Sequence, residues 1–147
     1  MLFSLIYMSK AVNSMSEDSL CDLLKTAQHW NEMHGLTGML LYVEGKFIND
    51  NGGRFIQVLE GPETEVKNIF EKIKHDGRHQ NVIVLSQTKI PRRNFSTWSM
   101  GFKTFGDDAN KSMSGFFELD EKFLAKKPAG RFNTALNFLK SFYSMHA

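Results

Sequence analysis

The chain of 147 residues carries one cysteine, Cys21. A single thiol excludes an internal disulfide framework and suits a reducing compartment. No run approaches the ~18–20 consecutive apolar residues of a membrane-spanning helix. An excess of one charge is missing too: 18 basic residues against 16 acidic leave a formal charge of +2. That is too little to draw nucleic acid by bulk electrostatics. The N-terminal MLFSLIYMSK has neither a basic n-region nor a small-residue cleavage site, so no secretory signal is expected and the expected location is cytoplasmic.

Motifs of common enzyme chemistry are also lacking. His75 and His79 are four apart, but Gly77 lies between them and no third ligand has metal-site spacing. Gly52-Gly53 is not followed by Lys-Ser or Lys-Thr, so it is no phosphate loop. No local pattern suggests a Ser-His-Asp or Cys-His arrangement. Lys89, Arg92 and Arg93 flank Pro91 and read as a solvated basic loop. Neither a metal site nor an enzyme is expected.

What is present is a hydrophobic fraction of 41%, a charged fraction of 23% and 13 phenylalanines, enough for an aromatic-rich core in one domain. Leu2–Met8 reads as a buried strand. Ser14 and Ser16 before Glu17 and Asp18 signal a helix start. Leu20, Leu23, Leu24, Ala27 and Asn31 then share one helical face, and Gly35 ends the helix. Leu36–Tyr42 and Arg54–Glu60 read as antiparallel strands of an extended hairpin, with Asn51-Gly52 as the turn signal. Gly61-Pro62 opens a second helix with Val66, Ile69, Phe70 and Ile73 as its apolar stripe; Gly77 breaks it. Val82–Leu85 and the alternating Trp98, Met100 and Phe102 complete the strands. The order predicts an α+β, ferredoxin-like βαββαβ sandwich with an added fifth strand. Beyond Phe105 a polar linker leads to two amphipathic segments, Phe116–Leu124 and Phe132–Tyr143, expected as C-terminal helices packing on the open sheet face or on a partner.

The chemically informative feature is polar residues on apolar faces. Tyr7 shares a strand side with Phe3 and Leu5, Gln57 with Phe55 and Leu59, and Asn31 a helix stripe with Leu20, Leu24 and Ala27. Taken singly, each is most simply a satisfied core group. Together, two carboxamides and a phenol converge on one core layer and offer both donors and acceptors. That set suits a heterocycle with amide edges: a flavin, a pterin or a nucleobase.

From Leu2 to about Phe105 the sequence resembles the BLUF domain, the blue-light sensor that uses flavin. The resemblance rests on LIYMSK, the helix ending at Asn31, GLTGMLLY at 35–42, FIQVLEGP at 55–62, DGRH at 76–79 and WSM at 98–100, in that order. It implies oxidised flavin as cofactor, most simply FAD, with FMN or riboflavin as alternatives. It implies that Tyr7 donates an electron and a proton, that Gln57 stands between Tyr7 and the flavin, and that Asn31 bonds the ring edge. Ile73 is implied to pack on the ring, with Asp76, Arg78 and His79 bordering the ring and ribityl chain. Met100 is implied near the switching glutamine, Trp98 is the tryptophan whose placement in the family is debated, and which of the two lies next to the flavin is open. The sequence departs from the family in carrying extra residues between Gly45 and Gln57, expected to lengthen the hairpin and leave the glutamine in register.

The implied division is a sensor over residues 1–105 and a linker with helical extension over 106–147. No cyclase, phosphodiesterase or DNA-binding module fits the remainder. The expected output is therefore a downstream signalling protein or a homo-oligomer, with the tail phenylalanines Phe116, Phe117, Phe132, Phe138 and Phe142 as its surface. The alternative function is a non-photochemical ferredoxin-like interaction or RNA-binding module. A small hydrolase ranks below both.

Overall fold

The computed structural model describes residues 2–47, 50–103, 113–119 and 134–146, without the side chains of 45–47, 50, 51, 134–136 and 144–146. Six strands form one sheet: β1 (Leu2–Ala11), β2 (Thr37–Phe47), β3 (Asp50–Pro62), β4 (His79–Ile90), β5 (Trp98–Phe102) and β6 (Phe116–Glu118). Their spatial order is β4-β1-β3-β2-β5-β6. The first four give the ferredoxin-like core, and β5 and β6 extend it in parallel beside β2. Among the described residues the helices are α1 (Glu17–Met33), α2 (Glu63–Lys74) and α3 (Thr134–His146).

Alternation along the strands builds two apolar layers. Phe3, Leu5, Tyr7, Leu40, Tyr42, Phe55, Leu59, Trp98 and Met100 belong to clusters shared with α1 and α2. Ile6, Met39, Leu41, Val43, Ile56 and Val58 face the other way, against Leu139 and Phe142 of α3. The C-terminal helix thus packs on the sheet face that α1 and α2 leave open. Full burial of each such aliphatic side chain contributes about 1.5–3 kcal/mol.

Local signals fix the element ends. Ser16 caps α1, its hydroxyl accepting from the Ser19 N–H at 3.1 Å. Gly35 follows α1 at φ +68°, a conformation that costs glycine little. Gly38 is required for a second reason. At φ +147°, a Cβ there would run into the Val58 carbonyl on the adjacent strand.

Two expectations are corrected. Phe47 pairs with Asp50 and Gly45 with Gly52, so Asn51-Gly52 lies inside β3 and is not the turn; Ile48 falls outside the described residues. Phe116–Glu118, expected to begin a helical segment, is instead β6 on β5, and residues 120–124 lie outside the described residues. Phe105 and Phe132 lie outside them as well. Register between β2 and β3 runs without a slip from Thr37↔Glu60 to Phe47↔Asp50, so the longer hairpin leaves Gln57 on its expected face, opposite both Leu40 and Tyr7.

Candidate functional site

A cavity of about 210 Å³ opens between α1, α2 and the sheet. Helical spacing brings Leu23, Ala27 and Asn31 to it from α1, and Ile69 and Ile73 from α2. The sheet contributes Tyr7, Leu40, Phe55 and Gln57, and the α2–β4 turn contributes Asp76, Arg78 and His79. Seven expected contact residues (Tyr7, Asn31, Gln57, Ile73, Asp76, Arg78 and His79) therefore meet at one cavity. Trp98 and Met100 do not line it; both are buried on β5.

Tyr7 and Gln57, 3% and 4% exposed, are joined by a hydrogen bond. Gln57 Nε2 donates to the Tyr7 hydroxyl oxygen at 2.7 Å, and Trp98 Nε1 donates to Gln57 Oε1 at 3.1 Å. An indole N–H can only donate. Trp98 therefore fixes the amide with its oxygen towards β5 and its NH₂ towards Tyr7. Trp98 bonds the glutamine, while Met100, the residue expected near it, packs in the cluster with Leu40, Tyr42 and Phe55. Burial raises the Tyr7 pKa well above its ordinary value, so the phenol is neutral at physiological pH.

Asn31, 3% exposed, lines the same cavity, and its Oδ1 is buried without a hydrogen-bond partner. A sealed, unpaired acceptor costs about 1–3 kcal/mol. At a cavity wall, that cost points to a ligand donor as the missing partner.

The cavity's rim is polar and tied down. Ser9 Oγ lies 2.7 Å from His79 Nδ1, and His79 Nε2 lies 2.6 Å from the Ile73 carbonyl. Because a carbonyl only accepts, Nε2 carries the proton, and in the neutral ring Nδ1 accepts from Ser9. Arg78 forks onto Asp76 through both Nε and a terminal nitrogen, and holds that carboxyl below the usual carboxylate range. Lys72 lies 3.6 Å above the Trp30 ring, which stacks on His34. Trp30, Lys72, Thr26 and Ser9 escaped the sequence reading. Thr26 and Trp30 stand four apart on α1 beside the recognised stripe, the one local signal for them.

An apolar slot with an unpaired amide acceptor at one wall and a donor–acceptor amide at another fits a planar heterocycle with an imide edge. Comparison with known proteins narrows this. Residues 2–101 match the family described as BLUF, sensors of blue-light using FAD. The photoactivated adenylate cyclase subunit beta of Euglena longa is 34% identical over 100 residues, 67% of this chain and 11% of that protein. This chain spans about a tenth of the length of such cyclase relatives. The ground-state structure of BlsA is 29% identical with a TM-score of 0.61, covering 99% of this chain and 87% of BlsA. Klebsiella pneumoniae BlrP1 with FMN and cyclic diGMP is 26% identical with a TM-score of 0.68, covering 98% of this chain and 35% of BlrP1. Fold, cavity and sequence agree: this chain belongs to the BLUF family of blue-light sensors that bind flavin.

Proposed function

We propose that the chain is a non-enzymatic photoreceptor that holds oxidised FAD in this cavity and reports blue light through Gln57. The observation that carries the reading is the unbroken Tyr7–Gln57–Trp98 hydrogen-bond chain at the cavity wall. When bound, the flavin supplies light absorption and, once excited, a one-electron pull.

The remaining chemistry belongs to the protein. Tyr7 is kept neutral and is the electron donor; its proton moves with the electron, through Gln57. For the amide to take that proton on oxygen, its donor and acceptor ends must exchange, by rotation or tautomerism. Rotation turns the NH₂ towards Trp98 and tautomerism places an O–H there; either way a donor faces the donor-only indole, so the Trp98 bond is lost. Electron and proton then return to Tyr7, and the rearranged amide persists until it relaxes in darkness. Asn31 holds the ring edge, Ile73 packs on the ring, and Asp76, Arg78 and His79 border the ring and ribityl chain. Met100 acts on Gln57 at one remove, through Leu40, which pairs with both.

The family description supports FAD, whereas the FMN in BlrP1 makes FMN the second candidate. Release of the chromophore and chromatography against FAD, FMN and riboflavin separates them. We place the protein in the cytoplasm, passing its signal to a second protein or to another copy of itself. The RNA-binding alternative needs exposed sheet aromatics. Among the described residues the exposed large hydrophobics are Val12, Met33, Ile83, Val84 and Leu85, none of them aromatic.

The test is spectroscopic. The purified protein should be yellow and shift its visible absorption reversibly to the red under blue light, and Tyr7→Phe should give no lasting shift. A protein that stays colourless and unshifted after flavin reconstitution refutes the proposal. Normal photocycling of Tyr7→Phe refutes the donor assignment.

A further inference from the structure

Glu60 lies on β3 three residues beyond Gln57 and is fully buried, at 0% exposure. A buried carboxylate needs donors on both oxygens. One short segment and a facing strand provide them. The backbone N–H groups of Asn94 and Phe95 lie 3.0 Å from the carboxylate, Asn94 Nδ2 lies 2.7 Å away and Thr37 Oγ1 3.4 Å. Arg93, read from the sequence as part of a solvated basic loop, turns inward instead. One guanidinium nitrogen donates to Thr37 Oγ1 at 2.8 Å and to the Glu60 carbonyl at 3.1 Å; the other reaches the Gly35 carbonyl at 2.8 Å.

Residues 93–95 are thus clasped to β2, β3 and the turn after α1. Trp98, three residues on, opens β5. The Gly38 N–H bonds the Thr97 carbonyl at 3.1 Å, and Gly38 pairs with Trp98. The clasp and the photoactive glutamine therefore share β3, and the clasp determines where the chain carrying the indole enters the sheet. We propose that Glu60 and Arg93 are positioning residues for Trp98, fixing segment 93–95 so that the indole N–H meets Gln57 Oε1 and holds the amide in one orientation. The photocycle consequence rests on the function proposed above; the indole's position does not.

The experiment uses the full-length protein, labelled with ¹⁵N, with its flavin as purified. Its two tryptophans give two indole N–H resonances, assigned with Trp98→Phe. Glu60→Gln sets an amide NH₂ against backbone donors. Arg93→Lys keeps the charge but loses the fork that spans three acceptors. In each variant the Trp98 resonance should move upfield while that of Trp30 holds its place. Combined with Trp98→Phe, neither variant should change the dark absorption maximum beyond what Trp98→Phe does alone. A folded variant whose Trp98 resonance stays at its original position overturns the proposal, whatever its melting temperature. Arg93→Lys, the milder change, decides if Glu60→Gln does not fold. If the resonance moves but the unsubstituted protein is blind to light, the photochemical reading falls and the clasp stands.

Discussion

Asn31→Leu should push stability and flavin binding in opposite directions. In the flavin-free protein the Asn31 Oδ1 is sealed from solvent and unpaired, and such an acceptor costs about 1–3 kcal/mol. Leucine has the same branched set of four side-chain heavy atoms, is apolar and is a better helix former by a few tenths of a kcal/mol, and position 31 lies in the last turns of α1. The flavin-free variant should therefore gain about 1–3 kcal/mol, which at a urea m-value of ~1–3 kcal/mol/M raises the midpoint by roughly 1 M. Flavin binding should lose one hydrogen bond, or about tenfold in Kd. Ligand at 100 times Kd stabilises a protein by ~2.7 kcal/mol; at the same concentration the variant, now at 10 times its Kd, gains only about 1.4. Urea titrations with and without added flavin measure both numbers. A variant less stable without flavin, or one that binds flavin unchanged, refutes the reasoning: the first would mean Oδ1 is satisfied, the second that it does not hold the ligand.

Gly38→Ala should abolish soluble expression or cost at least several kcal/mol by chemical denaturation, because its Cβ has no place beside the Val58 carbonyl. Stability should fall in alkali: burial raises the Tyr42 pKa to about 12, with Tyr7 raised further still. That contribution is complete below the unfolded tyrosine value of ~10 and is lost as pH climbs from there through 12, at up to about 1.4 kcal/mol per pH unit per tyrosine; Tyr42→Phe should flatten the slope of midpoint against pH. Leu139→Ala should cost about 2–5 kcal/mol, since Leu139 is fully buried between α3 and the sheet. Its photocycle should persist, because none of the described side chains of α3 lines the cavity.

The element order was readable because each helix carries its stripe and each central strand its alternation. The convergence of Tyr7, Asn31 and Gln57 followed from the same periods. What escaped reading depends on contacts distant in sequence. Asn51-Gly52 has strong turn chemistry, yet eleven residues of unbroken pairing between β2 and β3 set the register and carry it into the strand. Phe116 and Phe117 followed by Glu118 and Leu119 suit a helix or a strand equally; the main-chain edge of β5 makes them β6. β4 was expected only at Val82–Leu85. It is an edge strand with register shifts beside Ile6/Tyr7 and Met8/Lys10, so its exposed polar residues hide the alternation. Arg93 sits in a basic cluster in sequence, yet its true partners are the Thr37 hydroxyl and the main-chain carbonyls of Gly35 and Glu60, 33 to 58 residues earlier.

The strand parity also limits how a change at Gln57 leaves the site. Gln57 faces the cavity, while its neighbours Ile56 and Val58 face the α3 layer, so the described residues of α3 lie on the sheet face opposite the Gln57 amide. The route on the page runs through β5. Trp98 leads to Met100, whose N–H bonds the Gly115 carbonyl at 2.8 Å, and Phe102, whose carbonyl accepts from Leu119 at 3.2 Å. Leu119 packs with Leu139 and Phe142 on the far face. Phe142 is therefore core and not the output surface expected of it, and β6 is the element that joins the two layers: Phe116 packs with the cavity-side cluster, Phe117 with the α3 side. Losing one indole–amide bond costs about 0.5–1.5 kcal/mol, which biases a two-state element by roughly two- to tenfold. An output larger than that has to draw on the binding energy of whatever receives the signal, so the affinity of a receiving protein should differ between light and dark by no more than about tenfold per Trp98 bond.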